Sequence, residues 1–208
     1  LKHTKITWAF ALLLLAGACK KNEEQPVKKY VLVADSSTAH WKGFLRNGYF
    51  NEGTLQVECP NIQVANGVVR SGTFKMPLSS LKNLNLPTED LKEQLIHHLQ
   101  SPDFFNMALH PNVTFRISSV QQYSGGNPEA VLDANYSVTG DLTLLGKPLA
   151  ISFPARIHTE GKDMRIAAFI KVDRTQWGMN YASADSLADD QYIMPEMEIQ
   201  LQLKAEQQ

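Results

Sequence analysis

Two cysteines are all that this chain of 208 residues contains, too few for a disulfide framework. Charge of either sign is not in excess: 20 lysines and arginines stand against 21 aspartates and glutamates, a formal net charge of -1. No basic cluster occurs beyond the N-terminus, so the electrostatic footprint of nucleic-acid binding is missing and no nucleic-acid partner is expected. Internal repeats and low-complexity tracts are absent. So are the His-Glu-x-x-His and Cys/His patterns of zinc sites and the Gly-x-Ser-x-Gly of serine hydrolases. His97 and His98 are neighbours, about 100° apart around a helix, and cannot share a metal as an i, i+4 pair would. What remains, 43% hydrophobic and 20% charged, is the composition of an ordinary globular protein of one domain or two small ones.

The N-terminus is legible. Lys2, His3 and Lys5 precede an apolar run from Trp8 to Ala16, too short to cross a bilayer but the size of a secretory h-region. Ala16-Gly17-Ala18-Cys19 then resembles a bacterial lipobox. The expected organisation is a signal peptide over 1–18, a lipidated Cys19 with a flexible tether over 19–29, and a folded domain over 30–208. Ten extended residues of tether reach about 35 Å, and two or more acyl chains would hold the protein stably at a membrane. Lys20 stands where Asp can signal inner-membrane retention. That points to the outer membrane of a bacterial envelope, facing the periplasm or the surface. An ordinary signal peptide with an incidental cysteine is the alternative. Lipidation of Cys19 leaves Cys59 unpaired, and Cys59 reads as a small buried hydrophobe.

From Tyr30 onward the dominant period is two. Leu55, Val57 and Cys59 alternate with polar residues, as do Val113, Phe115 and Ile117, then Leu149, Ile151, Phe153, Ala155 and Ile157, and last Met197, Ile199, Leu201 and Leu203. Turn chemistry separates them at Asn66-Gly67, Gly125-Gly126-Asn127-Pro128, Gly146-Lys147-Pro148 and Glu160-Gly161-Lys162. About eight half-buried antiparallel strands follow. Such a sheet buries its apolar face by closing into a barrel or folding into a sandwich. One helix interrupts it, over about 88–100: Thr88 caps, Glu89 and Asp90 fill the first turn, Leu91, Leu95 and Leu99 recur every fourth residue, and Ser101-Pro102 stops it.

Leu99-Gln100-Ser101-Pro102-Asp103-Phe104-Phe105-Asn106 followed by His110-Pro111-Asn112-Val113-Thr114-Phe115 resembles a signature of the YceI-like family, lipocalin-like polyisoprenoid-binding proteins of the bacterial envelope. Val138-Thr139-Gly140-Asp141-Leu142-Thr143 and Val172-Asp173-Arg174-Thr175-Gln176-Trp177-Gly178 resemble two further motifs in the family's order. Trp41-x-Gly43 is similar to the opening of its lipoprotein branch, although Phe50 lies near where that branch carries a histidine. Asn106 and His110 also depart, standing for the usual Asp and Tyr.

The resemblance implies an all-β fold, an eight-stranded antiparallel lipocalin-like barrel with the short helix packed on it. It implies no enzyme activity and no cofactor beyond a bound isoprenoid quinone or polyprenyl lipid. The expected function is binding, carrying or sequestering such an amphiphilic lipid; the membrane is met through Cys19, and a homodimer is the oligomer to test. Expected lining residues are Phe44, Phe74, Met76, Leu95, Leu99, Phe115, Phe153, Phe169, Trp177 and Met179. A solid barrel serving as a scaffold for an envelope partner is the alternative. An isoprenoid-processing enzyme would need a polar pair inside the barrel, for which Asp141, Asp173 and Arg174 are the candidates; an ion pair that fixes strand register is their expected role.

Overall fold

The computed structural model describes residues 26–208; the expected signal peptide over 1–18, Cys19 and the first part of the expected tether lie outside them. Strand β1 (Lys28–Leu32) already includes Lys28 and Lys29, which were expected in the tether. Their side chains stay exposed while their backbones pair with Val64 and Gln63, so a polar sequence forms a strand.

A 3-10 turn at Ala34–Ser36 leads to β2 (Thr38–Leu45), and β3 (Phe50–Gln56) returns beside it. Next come β4 (Ile62–Ala65) and β5 (Val68–Ser71), joined by Asn66-Gly67 with both residues at positive φ, 54° and 75°, the backbone that makes Asn-Gly a tight hairpin turn. Past Gly72 runs β6 (Thr73–Pro77), and β7 (Lys82–Asn83) precedes helix α1 (Glu89–Gln100). Five longer strands complete the chain: β8 (Asn112–Gln122), β9 (Tyr136–Leu144), β10 (Lys147–Glu160), β11 (Asp163–Asp173) and β12 (Ile193–Gln207).

The pairing is antiparallel and nearly closes on itself. From β12 the ladder runs through β11, β10, β9 and β8 to β6, and on the other side of β12 through β1 and β4 to β5. The amide of Ile117 in β8 donates to the carbonyl of Gly72 between β5 and β6 (3.0 Å), which brings the two ends together. Strand β12 holds two partners end to end, β1 at Ala205–Gln207 and β2 from Gln202 back to Ile193. The all-β barrel is the expected one, with twelve strands rather than eight. Bends at residues 33–37 and at Gly72 divide long strands, and β7 is only two residues long.

At one end the barrel opens. Strands β2, β3 and β7 pair off the main ladder, and between β3 and β6 the pairing shrinks to the reciprocal backbone pair of Glu58 and Lys75 (2.8 Å each way). The segment from Leu78 to α1 is stitched against this gap by Leu84 N to Glu52 O (2.9 Å) and Gln100 Nε2 to Leu78 O (2.9 Å). The helix starts as its sequence predicts, with Thr88 Oγ1 accepting from Leu91 N. None of its residues is buried. Leu91 of its stripe is exposed, whereas Ile96 and Leu99 pack in part against the core.

Candidate functional site: an apolar cavity under the helix

What the stripe faces is a cavity of about 190 Å³ between α1, β2, β3 and β12. A second, of about 70 Å³, adjoins it between the faces of β8 to β12. Met76, Leu142 and Ile199 border both and form the partition. No carboxylate lines either space, and the second is bordered by apolar residues alone.

Eight of the ten expected lining residues border these spaces: Phe44, Leu95, Leu99 and Met179 the first, Phe74, Phe115 and Phe153 the second, and Met76 both. Phe44 does so from the alternate face of β2, where its ring packs against Phe50 (6.2 Å between centroids). Phe169 and Trp177 border neither. In β11 it is Ala168 and Ile170 that are buried, so Phe169 points outward by strict alternation. Trp177 lies in a 3-10 turn after β11 and anchors it, its Nε1 donating to Leu142 O (3.1 Å).

Phe104 and Phe105, the adjacent rings of the family-like signature, are cavity walls. Adjacent rings can share a face here because the chain turns. Phe104 N donates to Ser101 O and Phe105 N to Leu99 O, and Asn106 follows at φ 46°. Both rings are buried, and Phe104 meets the edges or faces of His98 and Tyr181 at 5.1 and 5.3 Å.

The expected ion pair of Asp173 with Arg174 does not form. Asp173 instead caps the turn, accepting from Thr175 N (2.9 Å) and Thr175 Oγ1 (2.6 Å). Arg174 is only 3% exposed. Its guanidinium donates to four carbonyls, those of Met179, Tyr181 (3.0 Å), Ile193 (2.9 Å) and Met194 (3.3 Å). Burial holds its pKa below the usual arginine value. Asp141 makes an ion pair on the outside, meeting Arg116, its cross-strand partner, at 3.0 Å. Neither aspartate borders a cavity.

Of the motif residues, the apolar ones such as Phe104, Phe105, Phe115 and Leu142, with Arg174, border the cavities, and the aspartates do not. Gly140 belongs to the same logic: a Cβ there would lie 2.4 Å from Arg116 O and 2.6 Å from Phe115 Cζ, so its absence lets the Phe115 ring lie against β9. Gly140→Val should cost about 2 kcal/mol through overpacking, read as a lowered denaturation midpoint. An unchanged midpoint would show that both the Phe115 ring and the β8 backbone at Arg116 give way without cost.

Cys59 is buried, and burial raises its thiol pKa, which makes it inert. Among the described residues no three His, Cys, Asp or Glu side chains are grouped to hold a metal, and no helix is long and apolar enough to cross a membrane.

Trp41, Asn51 and Arg174 also line the first cavity, and sequence reasoning did not place them there. Trp41 carried a signal, the Trp-x-Gly spacing, and Arg174 another, its place in the Asp-Arg motif, which pointed to an ion pair; Asn51 carried none, since a lone polar residue in a strand reads as surface.

Residues 30–205 match the YceI-like domain. No curated protein matches the chain. Among solved structures, Burkholderia cenocepacia BcnA superposes with a TM-score of 0.61 at 16% identity, over 83% of this chain and 98% of its own. A polyisoprenoid binding domain from Saccharophagus degradans, implicated in plant cell wall breakdown, gives 0.58 at 10% identity, over 86% and 98%. A Campylobacter jejuni YCEI protein gives 0.51 at 16% identity, over 99% and 94%. At these identities the likeness is one of fold.

Proposed function

The chain belongs to the YceI-like domain family, and on that premise we propose that it binds an isoprenoid or similar long-tailed amphiphilic lipid inside its barrel, as a lipoprotein tethered to the bacterial envelope through Cys19. The observation that carries the reading is the pair of adjoining apolar cavities, the first of them under α1. A solid barrel acting only as a scaffold would leave no such space. Burying one five-carbon isoprene unit is worth up to roughly 4 kcal/mol at about 0.8 per carbon, so a few units outweigh the cost of ordering ligand and site. The tail supplies affinity, and the polar groups of the wall set orientation. The role is to carry or sequester the lipid, a quinone or polyprenyl lipid being the class in view.

Native mass spectrometry of the full chain purified from its own envelope is expected to show a bound species of lipid mass that organic extraction removes. Protein that emerges lipid-free, while a control lipid-binding barrel keeps its ligand, would sink the proposal. Metabolic labelling with a clickable fatty acid tests the anchor: label should appear on the wild type and vanish in Cys19→Ser.

A further inference from the structure

Two buried side-chain atoms among the described residues lack a hydrogen-bond partner, Trp41 Nε1 and Asn51 Oδ1. Both residues border the first cavity. Buried polar atoms are nearly always paired, so orphans call for an explanation. Here they coincide with the wall of a space large enough for a ligand.

The two are neighbours. Trp41 of β2 pairs with Gly53 of β3, and Gly43 with Asn51, so Trp41 and Asn51 sit diagonally on one face of the hairpin, within reach of one small head group. The indole is held in place: a Cβ on Gly53 would lie 2.7 Å from Trp41 Cζ2, so the ring lies across the glycine. The other polar groups bordering the cavity are already engaged. Lys42 meets Glu52 at 4.0 Å and sits 3.6 Å from the Phe50 ring centroid. His98 meets Asp103 at 3.2 Å, and Arg174 is held by four carbonyls.

We propose that Trp41 Nε1 and the Asn51 amide form a head-group site that takes a hydroxyl, so that the preferred ligand is a long-chain alcohol rather than a quinone, an ether or an anion. This rests on the reading that the cavity takes an amphiphile. Trp41 can only donate and needs a lone pair; the oxygen of Asn51 can only accept and needs an O–H or N–H. A hydroxyl supplies both at once, with the bonding capacity of the water it would displace. A quinone or ether oxygen answers Trp41 and leaves Asn51 unpaired. A site built to bond a hydroxyl discriminates strongly against analogues that lack its proton. A phosphate would bring charge to a wall whose cations are committed elsewhere.

The test is a titration of the full chain with four probes sharing one three-unit tail: farnesol, farnesyl methyl ether, farnesyl phosphate and a farnesyl-substituted naphthoquinone. Farnesol should bind at least tenfold more tightly than the ether and the quinone, and more tightly than the phosphate. Asn51→Leu should bring alcohol and ether to within a factor of about two, and Trp41→Phe should weaken both together. Equal binding of all four, or a preference for quinone or phosphate, overturns the head-group site and leaves the amphiphile reading standing. Binding of none overturns both. A preference for alcohol that survives Asn51→Leu also overturns the assignment. Should either variant fail to fold, the wild-type series decides on its own.

Discussion

Gly43→Phe is expected to abolish lipid binding while leaving the barrel folded. Gly43 lies in β2 between Asn51 and Met197, its partners on the two neighbouring strands, and both of those border the first cavity. A Cβ built on Gly43 meets no atom within 4 Å, and its φ is not in the left-handed region. A side chain added there therefore enters empty space, not packed core. A phenyl ring would occupy much of about 190 Å³ and displace at least one isoprene unit, worth up to roughly 4 kcal/mol. Each 1.4 kcal/mol is a factor of about ten, so losing one unit lowers affinity for the co-purifying lipid by up to roughly several hundred-fold, enough to empty the site on purification. Stability should hold or rise, because glycine in a strand is the costlier residue by about 0.5–1 kcal/mol. Native mass spectrometry reads the first and chemical denaturation the second. Full lipid occupancy in a folded Gly43→Phe protein would place the ligand elsewhere.

This glycine shows where sequence reading reached and where it stopped. The alternation along β8, β10 and β12 displays the barrel's inner face where it holds, over 113–117, 151–157 and 197–203, although the register shifts after Ile117 and between Ile193 and Met197; α1 announces itself by its cap, its leucine spacing and its stop. Those features are local, and local physics decides them. Parity failed at Phe169, one residue out of step with Ala168 and Ile170, because β11 has apolar side chains on both faces and period two cannot say which is inside. It failed also at Trp177, which is not in a strand.

The polar part of the site was harder still. Asn51 looks like any strand asparagine until the register sets it opposite Gly43, and Arg174 follows an aspartate that invites an ion pair the fold does not make. In both cases the partners, or their absence, are set by how the chain folds back on itself and not by the residue types next in sequence. The motif glycines were legible as a family pattern but not as physics. Gly140 makes room for a ring and Gly43 leaves a hole, and only the packed structure separates the two.

The largest loss of stability is expected from Arg174→Met. The methionine fills much of the same space with apolar atoms, but four backbone carbonyls, of Met179, Tyr181, Ile193 and Met194, lose their donor together. Unpaired buried acceptors cost about 1–3 kcal/mol each. Some will find water once the loop loosens, so a total of about 3–5 kcal/mol is expected, which for a chain of this size lowers Tm by roughly 10 °C or more. Arg174→Lys should recover only part of it, since an ammonium has three donors and no planar fork to reach four carbonyls. The damage should be local: amide exchange should accelerate across 179–194, which links β11 to β12, while the β8 to β10 ladder keeps its protection. Lipid affinity should fall with it, because Met179, Ile193 and Met194 border the first cavity and owe their positions to this one side chain. A variant within 1 kcal/mol of wild type would mean that the carbonyls find other partners at no cost, and that the arginine of the Asp-Arg motif does something other than hold the cavity's edge.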